Sequence, residues 1–220
     1  MRVLTFPAYR ELAASLAQAL GCELDQVDVH RFPDGESLVT VPPSRPGTLV
    51  VVCGLENPND KLVELYLALG AARDNGAERL VLVAPYLCYM RQDKAFEPGQ
   101  AVSQRLIGEM LSGWVDDLIT VDPHLHRTPT LDAALPHCRS TAVSAAPLLG
   151  RFLQQREDGA LLMGPDEESR QWVEAVASHC GLETAVATKA RSGDRAVRIT
   201  LPDRDYRDRS VILVDDVISS

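Results

Sequence analysis

The stretch Val211-Ile212-Leu213-Val214-Asp215-Asp216-Val217-Ile218-Ser219-Ser220 joins a run of aliphatic residues to two adjacent acids and, after two more aliphatics, to two hydroxyls. Aliphatic runs of this kind are typical of buried strands in parallel sheets. Two neighbouring acids cannot both enter a core, because an unpaired buried charge is strongly unfavourable. We therefore expect Asp215 and Asp216 to follow the carboxyl end of a buried strand, the edge at which open α/β sheets bind ligands.

Segments with strand character alternate with segments with helix character along the rest of the chain. Further strands are predicted at 3–6, 26–32, 37–41, 49–53, 80–84, 118–121, 160–163 and 184–187. Helices are predicted at 9–20, from 59 or 60 to 75, and around 102–110, 146–155 and 169–178. In the second helix we expect Asn59 or Asp60 as the N-cap and Tyr66 on the apolar face. This alternation predicts an α/β fold with parallel sheets and right-handed crossovers.

Two similar halves meet near Thr141, which predicts one domain at 1–143 and a second at 144–220. The second half lacks the helix and the strand that normally follow in a doubly wound half. Two polar segments stand out between the predicted elements: 86–100, and 191–209, which is rich in Asp and Arg. Long irregular segments inside compact domains are often functional.

The composition excludes some classes of protein. A formal net charge of −9 argues against a nucleic-acid-binding protein, which usually carries a basic surface. The five scattered cysteines form no C-x-x-C pair, so we expect free thiols in a reducing compartment. We find no signal-peptide pattern and no apolar stretch of membrane-spanning length, and we expect a cytoplasmic protein.

Polar clusters follow five of the predicted strands. They lie at 91–94, 122–124, 164–166, 189–191 and 215–216. The carboxyl ends of parallel strands share one edge of a sheet, so these clusters place charges of both signs around a crevice. Carboxylates suit Mg²⁺ and its bound waters, whereas Arg and Lys suit phosphate oxygens. The pattern therefore indicates a site for Mg²⁺ with a polyphosphate.

Six stretches together resemble one known family. They are Arg31-Phe32-Pro33-Asp34-Gly35-Glu36, Asn57-Pro58-Asn59-Asp60, Pro85-Tyr86-Leu87-Cys88-Tyr89-Met90-Arg91-Gln92-Asp93-Lys94, Val121-Asp122-Pro123-His124, Lys189-Ala190-Arg191 and Val214-Asp215-Asp216-Val217-Ile218. In this order they resemble the ribose-phosphate diphosphokinases (ribose-phosphate pyrophosphokinases, PRPP synthetases), and the resemblance covers essentially the whole chain. It implies two tandem phosphoribosyltransferase-like doubly wound domains with parallel sheets, the second incomplete at its C-terminus. It also implies transfer of the diphosphoryl group of ATP to the 1-hydroxyl of ribose 5-phosphate, with Mg²⁺, in a homo-oligomer with shared active sites.

The resemblance assigns roles to residues of both domains. In the first domain, on the ATP side, one group would reach the adenine of a nucleotide held by a neighbouring subunit: Phe32, Asp34 and Glu36. A second group would hold ATP from the other side: Arg91, Gln92 and Asp93. His124 would contact the ATP phosphates or their Mg²⁺.

In the second domain, on the ribose-phosphate side, Asp166 would hold a metal ion or the sugar. Lys189 and Arg191 would stabilise charge on the transferred group. The ribose hydroxyls would be bound by Asp215 and Asp216, and the loop around the 5-phosphate would begin at Ser219 and Ser220.

Three departures from the family pattern bear on activity. Glu167-Glu168-Ser169 stands where the family usually has two glycines, and two carboxylates there would repel a phosphate. The stretch Leu125-His126-Arg127-Thr128 is unlike the usual one. The sequence stops at Ser220, before the 5-phosphate loop closes, so we expect weak sugar-phosphate binding from these residues alone.

Three other functions are consistent with parts of this pattern. A non-catalytic homologue that binds nucleotide, or a regulatory subunit, would explain the acids at 167 and 168. A phosphoribosyltransferase would share the strand that ends in two acids, but it would not need the 91–93 segment or the 34–36 turn. The spacing of His124 and His126 also fits the H-x-H motif of amidohydrolases, although no later pair of histidines follows.

Overall fold

The computed structural model describes residues 1–43, 46–155, 159–192 and 196–217, and of residues 190–192, 196 and 197 it describes the backbone only. The chain divides into two compact units, Met1–Val143 and Ser144–Ser220. No helix in the described ranges has both the length and the apolar character needed to cross a bilayer. Each unit is built around a parallel sheet of its own.

Unit 1 is a doubly wound α/β unit. Its strands are β1 (Arg2–Thr5), β2 (Leu24–Gln26), β3 (Asp28–Arg31), β4 (Ser37–Thr40), β5 (Gly47–Val52), β6 (Ala77–Ala84), β7 (Asp117–Val121) and β8 (Arg139–Val143). Its helices are α1 (Arg10–Leu20), α2 (Pro58–Asp74), α3 (Ser103–Trp114) and α4 (Leu131–Ala134). Six strands form a parallel sheet in the order β2-β1-β5-β6-β7-β8, and β3 and β4 form a separate antiparallel hairpin.

Helices cover both faces of this sheet, because alternate residues of a strand point to opposite sides. Val51 packs in the same buried cluster as residues of α2 and α3, whereas Val50 and Val52 pack with Ala13 and Ala17 of α1. A strand buried on both faces must be apolar at every position, which explains the continuous run of aliphatics in β5. The polar segments that follow β5, β6 and β7 all lie at the carboxyl edge of this sheet.

Unit 2 contains a smaller parallel sheet. Its strands are β9 (Leu161–Gly164), β10 (Glu183–Val186), β11 (Thr188–Ser192), β12 (Ala196–Thr200) and β13 (Val211–Leu213). Its helices are α5 (Ala146–Gln154) and α6 (Arg170–Cys180). The parallel sheet has the order β10-β9-β13, and β11 and β12 form an antiparallel hairpin.

The two units repeat one structural motif. In unit 1, β1 leads through a three-residue 3-10 helix into α1, then through a left-handed Gly21 (φ 63°) to β2. In unit 2, β9 leads through a three-residue 3-10 helix into α6, then through a left-handed Gly181 (φ 71°) to β10. Both helices have 11 residues, and in both units the first strand pairs with the strand that follows the helix. A glycine suits both helix ends because it adopts a positive φ without steric strain.

The structure corrects several expectations from the sequence. The strand before Asp215 is parallel, as predicted, but it is not buried on both sides: Val211 is 42% exposed and Leu213 is 71% exposed. Alternate side chains of a strand point to opposite faces. Ile212 and Val214 pack with residues of α5 and α6, whereas the face that carries Val211 and Leu213 stays exposed among the described residues. The strand also lies at the edge of the sheet, next to β9 only among the described strands.

The start and the face of α2 also differ from the predictions. The helix begins at Pro58 after Asn57, so neither Asn59 nor Asp60 is its N-cap. Tyr66 is 55% exposed and packs against the ring of Trp114, with ring centroids 4.9 Å apart, because an aromatic pair can form on the surface without burial.

Two further segments differ from the predictions: 26–32 is not a single strand, and 191–209 is not irregular throughout. The run 26–32 divides into β2 and β3, and the two strands belong to different sheets. The start of the polar segment 191–209 lies in the hairpin of β11 and β12. All five cysteines are free, as expected.

Candidate functional site

Three residues with strained backbones follow three neighbouring strands of unit 1, β5, β6 and β7. Asn57 comes after β5 with φ 49°, Tyr89 after β6 with φ 61°, and Asp122 directly after β7 with φ 40°. Residues other than glycine rarely adopt a positive φ, and a bulky one such as Tyr89 least of all. Such strain persists only where the surroundings enforce it, and it concentrates at functional sites. The carboxyl edge of the sheet in unit 1 is therefore the candidate ligand-binding site of this unit.

The segment 86–102 is fixed to the helices on either side of it. The Tyr89 hydroxyl donates to the amide oxygen of Asn59 in the first turn of α2. Gln92 accepts two hydrogen bonds from the start of α3: its carbonyl from the Gln104 N–H at 3.1 Å and its side-chain oxygen from the Ser103 hydroxyl at 2.8 Å. Although this segment has no regular secondary structure, its residues Tyr89 and Gln92 are hydrogen-bonded to α2 and α3.

Asp93 is the most deeply buried acid of the predicted ATP group. Its side chain is only 2% exposed, and it accepts hydrogen bonds from the Arg127 backbone N–H at 3.1 Å and from the Arg127 guanidinium at 2.7 Å. Arg127 lies in the segment after β7, three residues beyond His124. The ring of His124 lies 6.5 Å from that of His126, which is exposed. The structure therefore brings the 91–93 and His124 segments together through Asp93 and Arg127.

The hairpin of β3 and β4 presents the second predicted ATP group at its turn. Phe32 is 42% exposed. The Asp34 carboxylate accepts the Glu36 N–H at 3.1 Å, and Gly35 has a φ of 93°, which only glycine adopts easily. Between this turn and α2 lies an open groove of about 730 Å³, lined by Phe32, Glu36 and Leu67 among others. Phe32, Asp34 and Glu36 are thus exposed at the turn and do not enter the core.

Sequence reasoning missed a polar cluster between the ends of β1 and β5. The Lys61 ammonium contacts the Tyr9 hydroxyl at 2.7 Å, the Glu56 carboxylate at 2.7 Å and the Gly54 carbonyl at 3.3 Å. Burial and the Glu56 carboxylate raise the pKa of Tyr9 far above its usual value. Burial alone would raise the pKa of Glu56, but hydrogen bonds from Lys61 and Tyr9 lower it. Tyr9 follows a strand that carries no polar signature, so no pattern in the sequence indicated this cluster.

An open pocket of about 480 Å³ adjoins this cluster, and its walls include Phe6, Val29 and Cys53 as well as the charged Arg31, Lys61 and Glu64. Burial raises the pKa of Cys53 to about 12, so its thiol stays protonated at neutral pH. All three hydrogen atoms of the Lys61 ammonium have acceptors inside the protein. Lys61 is thus held by contacts within unit 1.

Unit 2 gathers acids at the ends of β9 and β13. Partial burial raises the pKa of Asp215, and the neighbouring carboxylates of Asp216 and Asp166 raise it further. The Lys189 ammonium lies 3.6 Å from the Asp166 carboxylate. Asp166 therefore interacts electrostatically with both Asp215 and Lys189.

The two glutamates at 167 and 168 have local partners. They form a 3-10 helix with Ser169, capped by the Asp166 carboxylate, which accepts the Glu168 N–H at 3.1 Å. The Glu167 carboxylate pairs with the Arg170 guanidinium at 2.9 Å. The negative charge of Glu167 is thus balanced within the same turn, which reduces the repulsion expected from the sequence.

Some predicted residues are not described. Ser219 and Ser220 lie outside the described residues, and so does the side chain of Arg191, whose backbone lies in β11. Within the described residues, no group of three or more His, Cys, Asp and Glu side chains is arranged to hold a metal ion. Asp166 and His124, expected as metal ligands, belong to different units.

Comparisons with known proteins agree on one family. Residues 1–114 match the model of the N-terminal domain of ribose phosphate pyrophosphokinase. The chain is 42% identical over 213 residues to a ribose-phosphate pyrophosphokinase of Methanopyrus kandleri, covering 96% of this chain and 72% of that protein. It is 34% identical over 220 residues to ribose-phosphate pyrophosphokinase 2 of Archaeoglobus fulgidus, covering all of this chain and 75% of that protein.

A solved structure supports the fold. The crystal structure of phosphoribosylpyrophosphate synthetase from Mycobacterium smegmatis superposes with a TM-score of 0.77 at 24% sequence identity. The match covers 98% of this chain and 72% of that one. The doubly wound arrangement predicted from the sequence is therefore confirmed as the fold of this chain.

Proposed function

Because this chain belongs to the ribose-phosphate pyrophosphokinase family, we propose that it transfers the diphosphoryl group of ATP to the 1-hydroxyl of ribose 5-phosphate. The products are AMP and 5-phosphoribosyl 1-diphosphate. The observation that carries this proposal is the acid pair Asp215 and Asp216, which follows a parallel strand and lies within electrostatic reach of Asp166. The relatives that bear the family name are about a third longer than the stretch that matches them.

ATP binding is assigned to unit 1. The exposed Arg91 supplies a planar cation for phosphate oxygens, and Gln92 is held by α3 close to it. His124 follows β7 at the same edge and would contact the phosphates. This arrangement supports the proposal because phosphoryl transfer depends on positioning and charge neutralisation more than on covalent chemistry.

Ribose 5-phosphate binding is assigned to unit 2. The carboxylates of Asp215 and Asp216 would accept hydrogen bonds from the ribose hydroxyls. Lys189, with Arg191 two residues further along β11, would stabilise charge on the transferred group. The turn that begins at Ser219 and Ser220 would hold the 5-phosphate. The Lys189 ammonium lies beside the Asp166 carboxylate. On ATP binding, Lys189 would leave Asp166 and contact the transferred diphosphoryl group.

The donor set fits Mg²⁺ in part. Mg²⁺ prefers oxygen ligands, which Asp166 and its neighbouring carboxylates supply. The imidazole of His124 fits better as a partner of a phosphate or of a metal-bound water. When bound with ATP, Mg²⁺ neutralises charge on the phosphates. We also propose a cytoplasmic location, since five free cysteines suit a reducing compartment.

We also propose a homo-oligomer with shared active sites, and the hairpin of β3 and β4 supports this proposal. Its turn carries the exposed Phe32 beside an open groove on α2. Exposed apolar side chains beside a groove are typical of protein contacts. We expect sedimentation to find a dimer or a larger assembly, and Phe32→Ala to lower ATP affinity. A fully active monomer would contradict this arrangement.

The test of the function is AMP formation from Mg-ATP and ribose 5-phosphate, with the chain and, where the gene continues past Ser220, with the full gene product. Lys189→Ala should lower kcat about 100-fold or more, because it removes charge stabilisation in the transition state. The matched control is Arg207→Ala, which removes an exposed cation that pairs only locally with Asp205 and should leave kcat unchanged.

Two outcomes would replace the proposal. Nucleotide binding without AMP from either form would indicate a non-catalytic homologue. Consumption of 5-phosphoribosyl 1-diphosphate with a nitrogenous base as the acceptor would indicate a phosphoribosyltransferase.

A further inference from the structure

The pair Asp93 and Arg127 joins two segments that lie 34 residues apart in the sequence. The first segment follows β6 and the second follows β7, and these strands are adjacent and parallel. The Asp93 carboxylate accepts from the backbone of Arg127 at 3.1 Å and from its guanidinium at 2.7 Å. One carboxylate thereby fixes both the main chain and the side chain of the second segment.

Breaking the ion pair of Asp93 and Arg127 is energetically unfavourable because the Asp93 side chain is buried. The Asp93 side chain is 2% exposed, whereas Arg127 remains 44% exposed. A buried carboxylate that loses its partner is left as an uncompensated charge. The 86–102 segment must therefore stay where Arg127 can reach it, or expose Asp93 to water.

A second contact connects the same two segments next to the ion pair. The Thr128 hydroxyl donates to the side-chain oxygen of Gln104, and the Gln104 amide nitrogen donates to the Met90 carbonyl at 3.0 Å. Gln104 is itself buried at the start of α3. The residues immediately before and after Arg91 and Gln92 are thus both tied to the segment that carries His124.

We propose that Arg127 is a positioning residue: through Asp93, it holds the Arg91 and Gln92 segment in register with His124. This proposal rests on the proposed function, which places ATP between these groups. Arg127 would not touch ATP itself, and its effect would be on ATP affinity. The strand pattern and the acidic composition did not indicate this role of Arg127. The resemblance did not indicate it either, because Arg127 stands in a stretch that departs from the family pattern.

The experiment compares Arg127→Met, Arg127→Lys and Asp93→Asn with the unaltered protein. Arg127→Met should raise the KM for ATP about 10- to 100-fold, as expected for a small misplacement of binding groups, with the KM for ribose 5-phosphate within about twofold. Arg127→Lys should recover part of this loss, since Lys keeps the cation near Asp93. The double variant of Asp93→Asn and Arg127→Met should be no worse than the poorer single variant, because the two residues act as one unit.

A control and a second readout separate positioning from general destabilisation. Arg105→Met removes another half-exposed arginine of unit 1, paired with Glu109 on α3, and should leave both KM values unchanged. Hydrogen exchange of the 86–102 peptides should accelerate in Arg127→Met and not in Arg105→Met. The calorimetric affinity for ATP should fall in parallel with that acceleration.

Two results would overturn the proposal: a KM and an affinity for ATP within about twofold of the unaltered protein in Arg127→Met, or equal losses for both substrates that track the melting temperature. If the unaltered protein forms no AMP, the proposed function fails separately. ATP affinity and hydrogen exchange then decide the role of Arg127 by the same criteria.

Discussion

Asp116 ties three elements of unit 1 together with one carboxylate. It accepts the backbone N–H of Leu80 in β6 at 2.7 Å and pairs with the Arg73 guanidinium at the end of α2. Arg73 also donates to the Glu78 carbonyl at 2.7 Å. Burial alone would raise the pKa of Asp116, but the Leu80 N–H and Arg73 hold it below its usual value. The ionised carboxylate is therefore bound more strongly in the folded chain than in the unfolded one.

The Asp116→Asn variant should lower the free energy of unfolding by about 1 kcal/mol at pH 7, since nearly half of the side chain is in solvent and screening limits the loss. A lowered folded-state pKa stabilises the protein above the unfolded-state pKa, about 4, and this contribution is lost as the pH falls through the folded-state pKa. The difference between the variant and the parent should therefore shrink below pH 4. Urea unfolding at several pH values measures it, and Asp74→Asn, which alters an exposed acid nearby, is the control. A difference that does not change with pH would contradict this account.

Single residues also mark what the sequence could and could not predict. It placed Asp93 and His124 at the carboxyl edge of a parallel sheet, because strand ends can be read from aliphatic runs. It did not predict that Arg127 is the partner of Asp93, or that Lys61 is the partner of Tyr9. Those contacts join residues far apart in the chain, and local patterns carry no information about such pairs.

At the scale of elements, α3 approaches α4 through a glycine. A Cβ atom built at Gly108 would lie 1.9 Å from the backbone carbonyl oxygen of Ala134. Gly113, five residues further along the same helix, has open space at its Cβ position. The sequence predicted the helix from its apolar spacing, but two glycines in one helix look alike until their neighbours are known.

Opposite effects are expected from the same change at these two glycines. Gly108→Ala should destabilise the protein by about 3 kcal/mol, because a backbone carbonyl cannot move aside as a side chain can. Gly113→Ala should stabilise it by about 0.5–1 kcal/mol, since alanine loses less conformational freedom in a helix. Thermal or urea unfolding of both variants measures the difference. Equal effects would mean that α4 does not pack closely on α3.

At the scale of the molecule, each unit has a sheet and a core of its own. Among the described strands, unit 1 has six in its parallel sheet and unit 2 has three, and each unit also has an antiparallel hairpin. The sequence predicted two similar halves. Both units contain a strand, a 3-10 helix, an α-helix and a second strand in the same order, so they share this motif. The β11 and β12 hairpin was not predicted, because β11 is polar and has no strand pattern, although Val197, Ile199 and Leu201 alternate with polar residues in and after β12.

Unit 1 should fold without unit 2. A fragment of residues 1–143 should unfold cooperatively in urea, because it keeps all six strands of its sheet. A fragment of residues 1–114 should not, because it lacks β7 and leaves the buried residues of β6 at an open edge. Fluorescence of Trp114 follows the transition in both fragments, and in the full chain after Trp172→Phe. A non-cooperative transition in the longer fragment would contradict the proposed boundary at 143.

Among the described strands, β13 has one unpaired edge, and this gives the acid pair a second consequence, for handling a protein of these residues. Short aliphatic strands with an open edge are where chains add to one another and aggregate, and flanking charges suppress this addition. Asp215 and Asp216 directly follow Val211 to Val214, so they act as charged gatekeepers of that strand. Neutralising them to test sugar binding would also remove this protection. A loss of activity in such variants therefore has to be measured in dilute solution, with light scattering recorded on the same samples.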